Sequence, residues 1–211
     1  QVTTGADAET TTAYRRRVSS AVSARPQGGA YSDYRVWGSD VAGVAQVYPY
    51  TGAAGQVSVY VESSTETDGL PTAAQLNDVA AAIELDEDGL ATRRPVGSLV
   101  STVSIARTSW VATVSDLIVT GSLTDAQSKV RTAVEGYFIA REPFITGLDV
   151  LPAKDTISRS AAIGVVEDVV TSLGGTFSTV VIAKASAPSV PVELELLAEG
   201  EKVKAASVSF V

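Results

Sequence analysis

The chain has 211 residues, 45% of them hydrophobic, and a net charge of −8 from 24 acidic and 16 basic side chains. That length suits one large domain or two small ones, and an acidic surface disfavours direct binding to a phosphate backbone, which takes clustered Lys and Arg. Histidine and cysteine are absent, which removes Ser-His-Asp and Cys-His catalysis, His-ligated metals and a disulfide framework from this chain.

No apolar run approaches the ~20 residues that span a bilayer. Neither a nucleic acid nor a membrane is therefore an expected partner. Methionine is also absent and the chain starts at Gln1, which predicts a fragment or a processed product with an N-terminal region missing.

Residues 1–8 read as a loop. Asp7 and Glu9 precede a helix over about 10–25, where acidic side chains suit the positive end of the helix dipole. Tyr14, Val18, Ala21 and Val22 form a narrow apolar stripe on it. Arg15, Arg16 and Arg17 suggest an anion site, but successive helical residues turn by ~100°, so the three cannot converge on one small ligand. They read as structural or inter-subunit ion-pairing groups.

A turn at 26–29 leads to a second helix. Ser32 is its expected N-cap, and Tyr34, Trp37 and Val41 share one face. Gly38 on that face lets another element approach closely, and Gly43 is the expected helix end. Tyr34 and Trp37 could form a stacking platform, but at helical spacing they read as core. Runs at 44–50 and 56–62 are rich in Val and Tyr, and Val57, Val59 and Val61 alternate with Ser58, Tyr60 and Glu62. With the glycine-containing loop 51–55 between them, they predict a β-hairpin.

After a polar loop at 63–69, Thr72-Ala73-Ala74-Gln75 has the capping-box form. Leu76, Val79, Ala80 and Ile83 then make a helical stripe that ends near Leu85. A strand is expected over 98–105, which completes a first α+β unit. A second unit is expected from a strand at 110–119, a capping box at Thr124-Asp125-Ala126-Gln127 and a helix with Val130, Ala133, Val134, Tyr137 and Phe138 inward. Pro143 stops that helix. Residues 144–155 read as a loop, 156–173 as a helix and 177–183 as a strand. Strands at 193–197 and 203–211 are expected to close the chain as a hairpin around Glu199-Gly200-Glu201. The predicted organisation is thus a helical segment at 1–42, a first module at 43–107 and a second at 108–211, an α+β fold with mostly antiparallel sheets.

Several of these residues, taken in order, resemble the baseplate J-like proteins of phage tails. The resemblance covers Asp7 and Glu9 leading into Tyr14-Arg15-x-Arg17, and the turn from Pro26 to Gly29. It continues through Asp33-Tyr34-x-x-Trp37, Gly43-Val44, Val47-Tyr48-Pro49, the turn ending at Gly55, the Val-rich strand 57–61, and Arg94-Pro95-x-Gly97. It runs from about Asp7 to the end of the chain and is denser before Gly97 than after. The resemblance implies a wedge component of a phage-tail or contractile-injection baseplate, with no enzymatic activity and no cofactor. It implies that the protein binds copies of itself and other wedge proteins around the tail tube. It also implies assembly in the bacterial cytoplasm and residence in the virion. The motif residues would then serve the fold or its interfaces.

Two other readings stand beside it. A carbohydrate- or receptor-binding module would use Tyr48, Tyr50 and Tyr60 around the hairpin. A hydrolase using only carboxylates would need a pair such as Glu193 and Glu195, which alternate in a strand and so share a side; a solvated strand face explains them as well. Asp86-Glu87-Asp88-Gly89 resembles the start of a calcium loop, but Leu90 stands where an oxygen ligand belongs and no glutamate closes it. Catalytic, cofactor-binding and metal-binding residues are accordingly expected to be absent.

Overall fold

The computed structural model describes residues 28–211 except Glu87, together with Thr11, Tyr14, Arg15 and Val18, which are helical. The chain divides into two compact units, 1–103 and 104–211. The rest of the expected helix over 10–25, with Asp7, Glu9, Arg17 and Pro26, lies outside the described residues.

In the first unit, helix α1 (Tyr31–Ser39) precedes strands β1 (Val44–Thr51) and β2 (Gln56–Ser63). Helix α2 (Ala73–Glu84) and strand β3 (Leu99–Ser104) follow. The sheet order is β1-β2-β3. Strands β1 and β2 form the expected antiparallel hairpin, with Val47 opposite Val61 and Pro49 opposite Val59, and a bulge between Val44 and Gln46. This register turns Val47, Val59 and Val61 toward Tyr34, Val79 and Ile83, which together form the core. Gly38 allows the helix its close approach: a Cβ there would lie 2.8 and 2.9 Å from the two methyls of Val47.

Two expectations for α1 are corrected. Ser32 is not the N-cap. The helix begins one residue before it, after Ala30, because the buried Asp33 carboxylate reaches back to accept from the amides of Gly29 at 2.8 Å and Ala30 at 3.2 Å. Gly43 does not end the helix, which closes at Ser39; with φ +78° it makes the turn into β1.

In the second unit, strand β4 (Ala106–Ser115) leads to helix α3 (Leu123–Ile139). Then come β5 (Thr156–Ser158), helix α4 (Arg159–Ser172), β6 (Thr179–Lys184), β7 (Leu194–Leu196) and β8 (Glu201–Phe210). The main sheet has the order β6-β4-β8. Alternation along β4 buries Trp110, Ala112 and Val114 against Val134, Phe138 and Val166 of the two helices.

The fold is α+β as expected, but its sheets are mixed. The final hairpin is not formed. Strand β8 runs parallel to β4, and the three-residue β7 pairs antiparallel with β5 instead. Leu197 then donates its amide to the Asp155 carbonyl at 2.7 Å, which commits that segment before the turn at Gly200. Helix α3 also starts earlier than its expected capping box. Ser122 is the N-cap, and its hydroxyl accepts from the Asp125 amide at 3.3 Å. Thr156–Ser158 is a strand rather than the start of a helix, and Ser158 caps α4.

Candidate assembly surface

The motif residues of the first unit fall into three local clusters. At the start of α1, Gly29 has φ +113°, and a Cβ there would meet the Pro95 ring at 2.5 Å. Asp33 ties that turn to the helix, and Tyr34, 1% exposed, lies beneath it. Trp37 meets Tyr34 edge to face at 5.7 Å, and the Arg93 guanidinium stands 6.0 Å from the Trp37 ring. Truncating Asp33 to alanine orphans the Gly29 and Ala30 amides that it now accepts from. The expected loss is about 1–3 kcal/mol, read as a lower urea midpoint of Trp37 fluorescence in a Trp110→Phe background.

The second cluster surrounds Gly43. Thr72 and Gln75 cap α2 reciprocally, Gln75 N to Thr72 Oγ1 at 3.2 Å and Thr72 N to Gln75 Oε1 at 2.9 Å. The Gln75 amide nitrogen is left free to donate to the Gly43 carbonyl and to Ser63 Oγ, both at 3.0 Å. One glutamine therefore caps a helix and fastens the Gly43-Val44 entry to β1. Sequence reading found its first role and missed the second, although a glutamine at this capping position, with an amide to spare, was the available signal.

The third cluster follows α2. Arg94 grips Glu84 with two guanidinium nitrogens, one at 3.0 Å, and also donates to the Ser98 carbonyl. Arg93 donates to the Ala82 carbonyl at 2.8 Å, where a cation suits the C-terminal end of a helix. Gly97 carries φ +88°, and the next strand is tied to the hairpin by Leu99 N to the Gly55 carbonyl at 2.7 Å. A cavity of about 150 Å³ lies between Ile83, Glu84, Arg94 and Val100, well under the ~300 Å³ of a small-molecule site.

The loop that resembled a calcium site is held by Asp86 itself. Its carboxylate accepts from Thr92 Oγ1 at 2.6 Å, Leu90 N at 2.8 Å and Asp88 N at 3.0 Å. The Thr92 hydroxyl first, then the Leu90 amide, hold its pKa below the ordinary value. The hydrogen bond from Arg94 does the same for Glu84. A depressed folded-state pKa contributes stability that is present above the unfolded value and lost as pH falls through the folded one. Loop ordering should therefore persist at neutral pH and fade on the acid side of the ordinary aspartate range, ~3.9. In an NMR titration, Thr92→Val should move the Asp86 midpoint upward; an unchanged midpoint would contradict the assignment.

Tyr48 and Glu62 occupy the other face of the hairpin and are both buried, with the phenol donating to the carboxylate at 3.0 Å. Tyr50 and Tyr60 meet edge to face at 5.7 Å. With Tyr48 only 1% exposed, the three tyrosines do not make an open stacking platform. Glu193 and Glu195 are held by different cations, Glu193 by Arg159 at 2.7 Å and Glu195 by Lys184. Among the described residues, no group of three or more His, Cys, Asp or Glu could hold a metal ion, and no helix is long and apolar enough to cross a membrane.

The described motif residues thus lie in the first unit and do not gather into one pocket. The surface features left over are apolar tips, such as Val96, Val150 and Leu151, and strand edges.

Comparison with known proteins finds similarity over the first unit in sequence and over most of the chain in fold. Residues 26–104 match the family model of the Baseplate J-like central domain. No curated protein matches the sequence. Among solved structures, the chain is similar in fold to a component of the anti-feeding prophage (AFP) baseplate, determined by cryo-EM with 6-fold symmetrisation. The TM-score is 0.59 at 10% identity, and the match covers 93% of this chain and 42% of that one. The chain therefore spans less than half the length of that relative.

Proposed function

We propose that this chain, which carries the Baseplate J-like central domain at residues 26–104, is a structural component of a contractile-tail or injection-particle baseplate. The observation that carries the reading is the family match over the first unit, where matched residues such as Gly29, Asp33, Gly43 and Pro95 are spent on the fold itself. Its finer form is a wedge subunit that binds copies of itself and other wedge proteins around the tail tube, works without enzymatic chemistry and resides in the finished particle. The two units, with a boundary near Arg107 and Thr108, act in this reading as separate modules.

Disrupting the gene in a producing strain tests this. Electron microscopy should then find tubes and sheaths without assembled baseplates, and a plasmid copy should restore them. Normal, contractile particles from the disrupted strain would contradict the proposal. If particles assemble but fail only to attach to cells, the receptor-binding alternative replaces it.

A further inference from the structure

The sheet of the second unit has two edges, and the fold treats them differently. The outer edge of β6 is sealed. Its Val180 carbonyl accepts from Arg159 Nε at 2.7 Å, and its Ile182 carbonyl accepts from the Val192 amide at 2.8 Å. Strand β8 forms the other edge, and no described strand pairs with its outer side. Val211 faces β4, donating to the Val114 carbonyl at 3.1 Å and accepting from the Asp116 amide at 2.8 Å. Successive residues of a strand turn their backbone groups to opposite edges, so Phe210 and Val208 aim their N–H and C=O groups outward.

The first half of β8 is guarded. Lys202 and Lys204 lie there, and Arg107 Nη1 reaches the Val203 carbonyl at 3.4 Å. Lys202 is buried and Lys204 half-buried there, and a charged side chain along an edge disfavours random pairing. The second half, Ala205-Ala206-Ser207-Val208-Ser209-Phe210-Val211, carries neither charge nor proline. Ser207, Ser209 and Val211 are exposed, and Phe210 is only partly buried.

We propose that the 207–211 edge of β8 pairs antiparallel with the same edge of a second copy of this chain, about a two-fold axis at Ser209. This deepens the assembly reading above by naming one of its surfaces, and it rests on that reading only for its biological setting. In this register Val208 of each copy lies opposite Phe210 of the other, and their outward backbone groups meet as hydrogen-bonded pairs. Ser209 faces its own symmetry mate. The two side chains brought together on the core side form an aromatic and β-branched pair, a favourable cross-strand combination.

Charge selects the direction. Antiparallel pairing about Ser209 keeps Lys202 and Lys204 of the two copies well apart along the strands, whereas parallel pairing would set each lysine beside its own copy. The contact is self-complementary, as a two-fold interface requires. It would join the sheets into β6-β4-β8 followed by β8-β4-β6 of the partner. With a net charge of −8 on each copy, association should strengthen as salt rises from low to moderate concentration.

The chain has no cysteine, so one can be introduced cleanly. Opposed residues of a non-hydrogen-bonded antiparallel pair have Cα atoms ~4.5 Å apart, within disulfide range. Ser209→Cys should therefore form a disulfide-linked dimer under mild oxidation, while Ser128→Cys, exposed on α3, stays monomeric. Phe210→Lys added to Ser209→Cys should abolish the cross-link with Trp110 fluorescence retained. In sedimentation the unmodified chain should move from 21.7 kDa toward twice that mass as concentration and salt rise, and Phe210→Lys should hold it at the monomer. Cross-linking of Ser209→Cys no faster than Ser128→Cys, or a monomer at every salt and concentration, overturns the pairing. If Phe210→Lys unfolds the unit, the comparison of the two cysteine variants decides alone. A monomer would leave the baseplate reading to the particle experiments, which do not depend on this edge.

Discussion

Replacing Tyr34 with alanine should cost the first unit about 3–5 kcal/mol, the usual range for deleting a large aromatic from a core. Tyr34 is 1% exposed, meets Trp37 edge to face and packs with Val47, Val59, Val61, Val79 and Ile83. It also lies under the Gly29–Pro95 contact, so the void opens beneath the turn that starts α1. Trp37 is half-buried beside it, and whatever shift it makes into the void places the loss at the lower end of the range. The chain has two tryptophans, Trp37 in the first unit and Trp110 in the second, so each unit carries its own reporter. In a Trp110→Phe background the urea midpoint of Trp37 fluorescence should fall. A loss under about 1 kcal/mol would mean that this helix face supports little packing, and would return Tyr34 and Trp37 to consideration as a ligand platform.

Trp110→Ala should be as severe in the second unit, again about 3–5 kcal/mol. The ring is fully buried at the centre of β4 and stacks at a tilt on Phe138, with centroids 6.0 Å apart. Its indole N–H has no hydrogen-bond partner among the described residues, and a buried unpaired donor is itself a cost. Trp110→Phe removes that donor and keeps most of the ring, so it should be far milder than Trp110→Ala. Hydrogen exchange of the β4 and β6 amides measures both. If the two units are separate modules, the Trp37 transition should stay where it was in either variant.

The first unit was legible in the sequence because its contacts are mostly local. The hairpin is announced by alternating valines around a glycine turn, α2 by Thr72 and Gln75, and the α1 packing by Tyr34 and Gly38. What escaped notice there was the start of α1, because Ser32 is a plausible cap and Asp33 does its work from inside the helix. In the second unit the helices were legible from Val130, Val134 and Phe138 and from Ala162, Val166 and Val170. Its sheet was not. Gly200 sits in a convincing hairpin turn, yet β8 pairs with β4, where Trp110 and Ala205 are partners far apart in sequence. No local signal specifies that pairing or its parallel sense. The motif residues were legible as a set, but whether they formed a pocket or a frame required their positions. The described ones, such as Gly29, Asp33, Gly43 and Arg94, lie in separate clusters of the first unit rather than around one pocket.

The most direct measurement is the protein content of purified particles. Tails or injection particles from a producing strain would be separated by gradient centrifugation, and the chain quantified by mass spectrometry against the tube and sheath proteins, in whole particles and in isolated baseplates. A structural baseplate component should be present at a fixed ratio in every preparation, be enriched in the baseplate fraction and survive washes that strip loosely bound proteins. Absence from intact contractile particles, or a ratio that varies freely between preparations, would contradict the account.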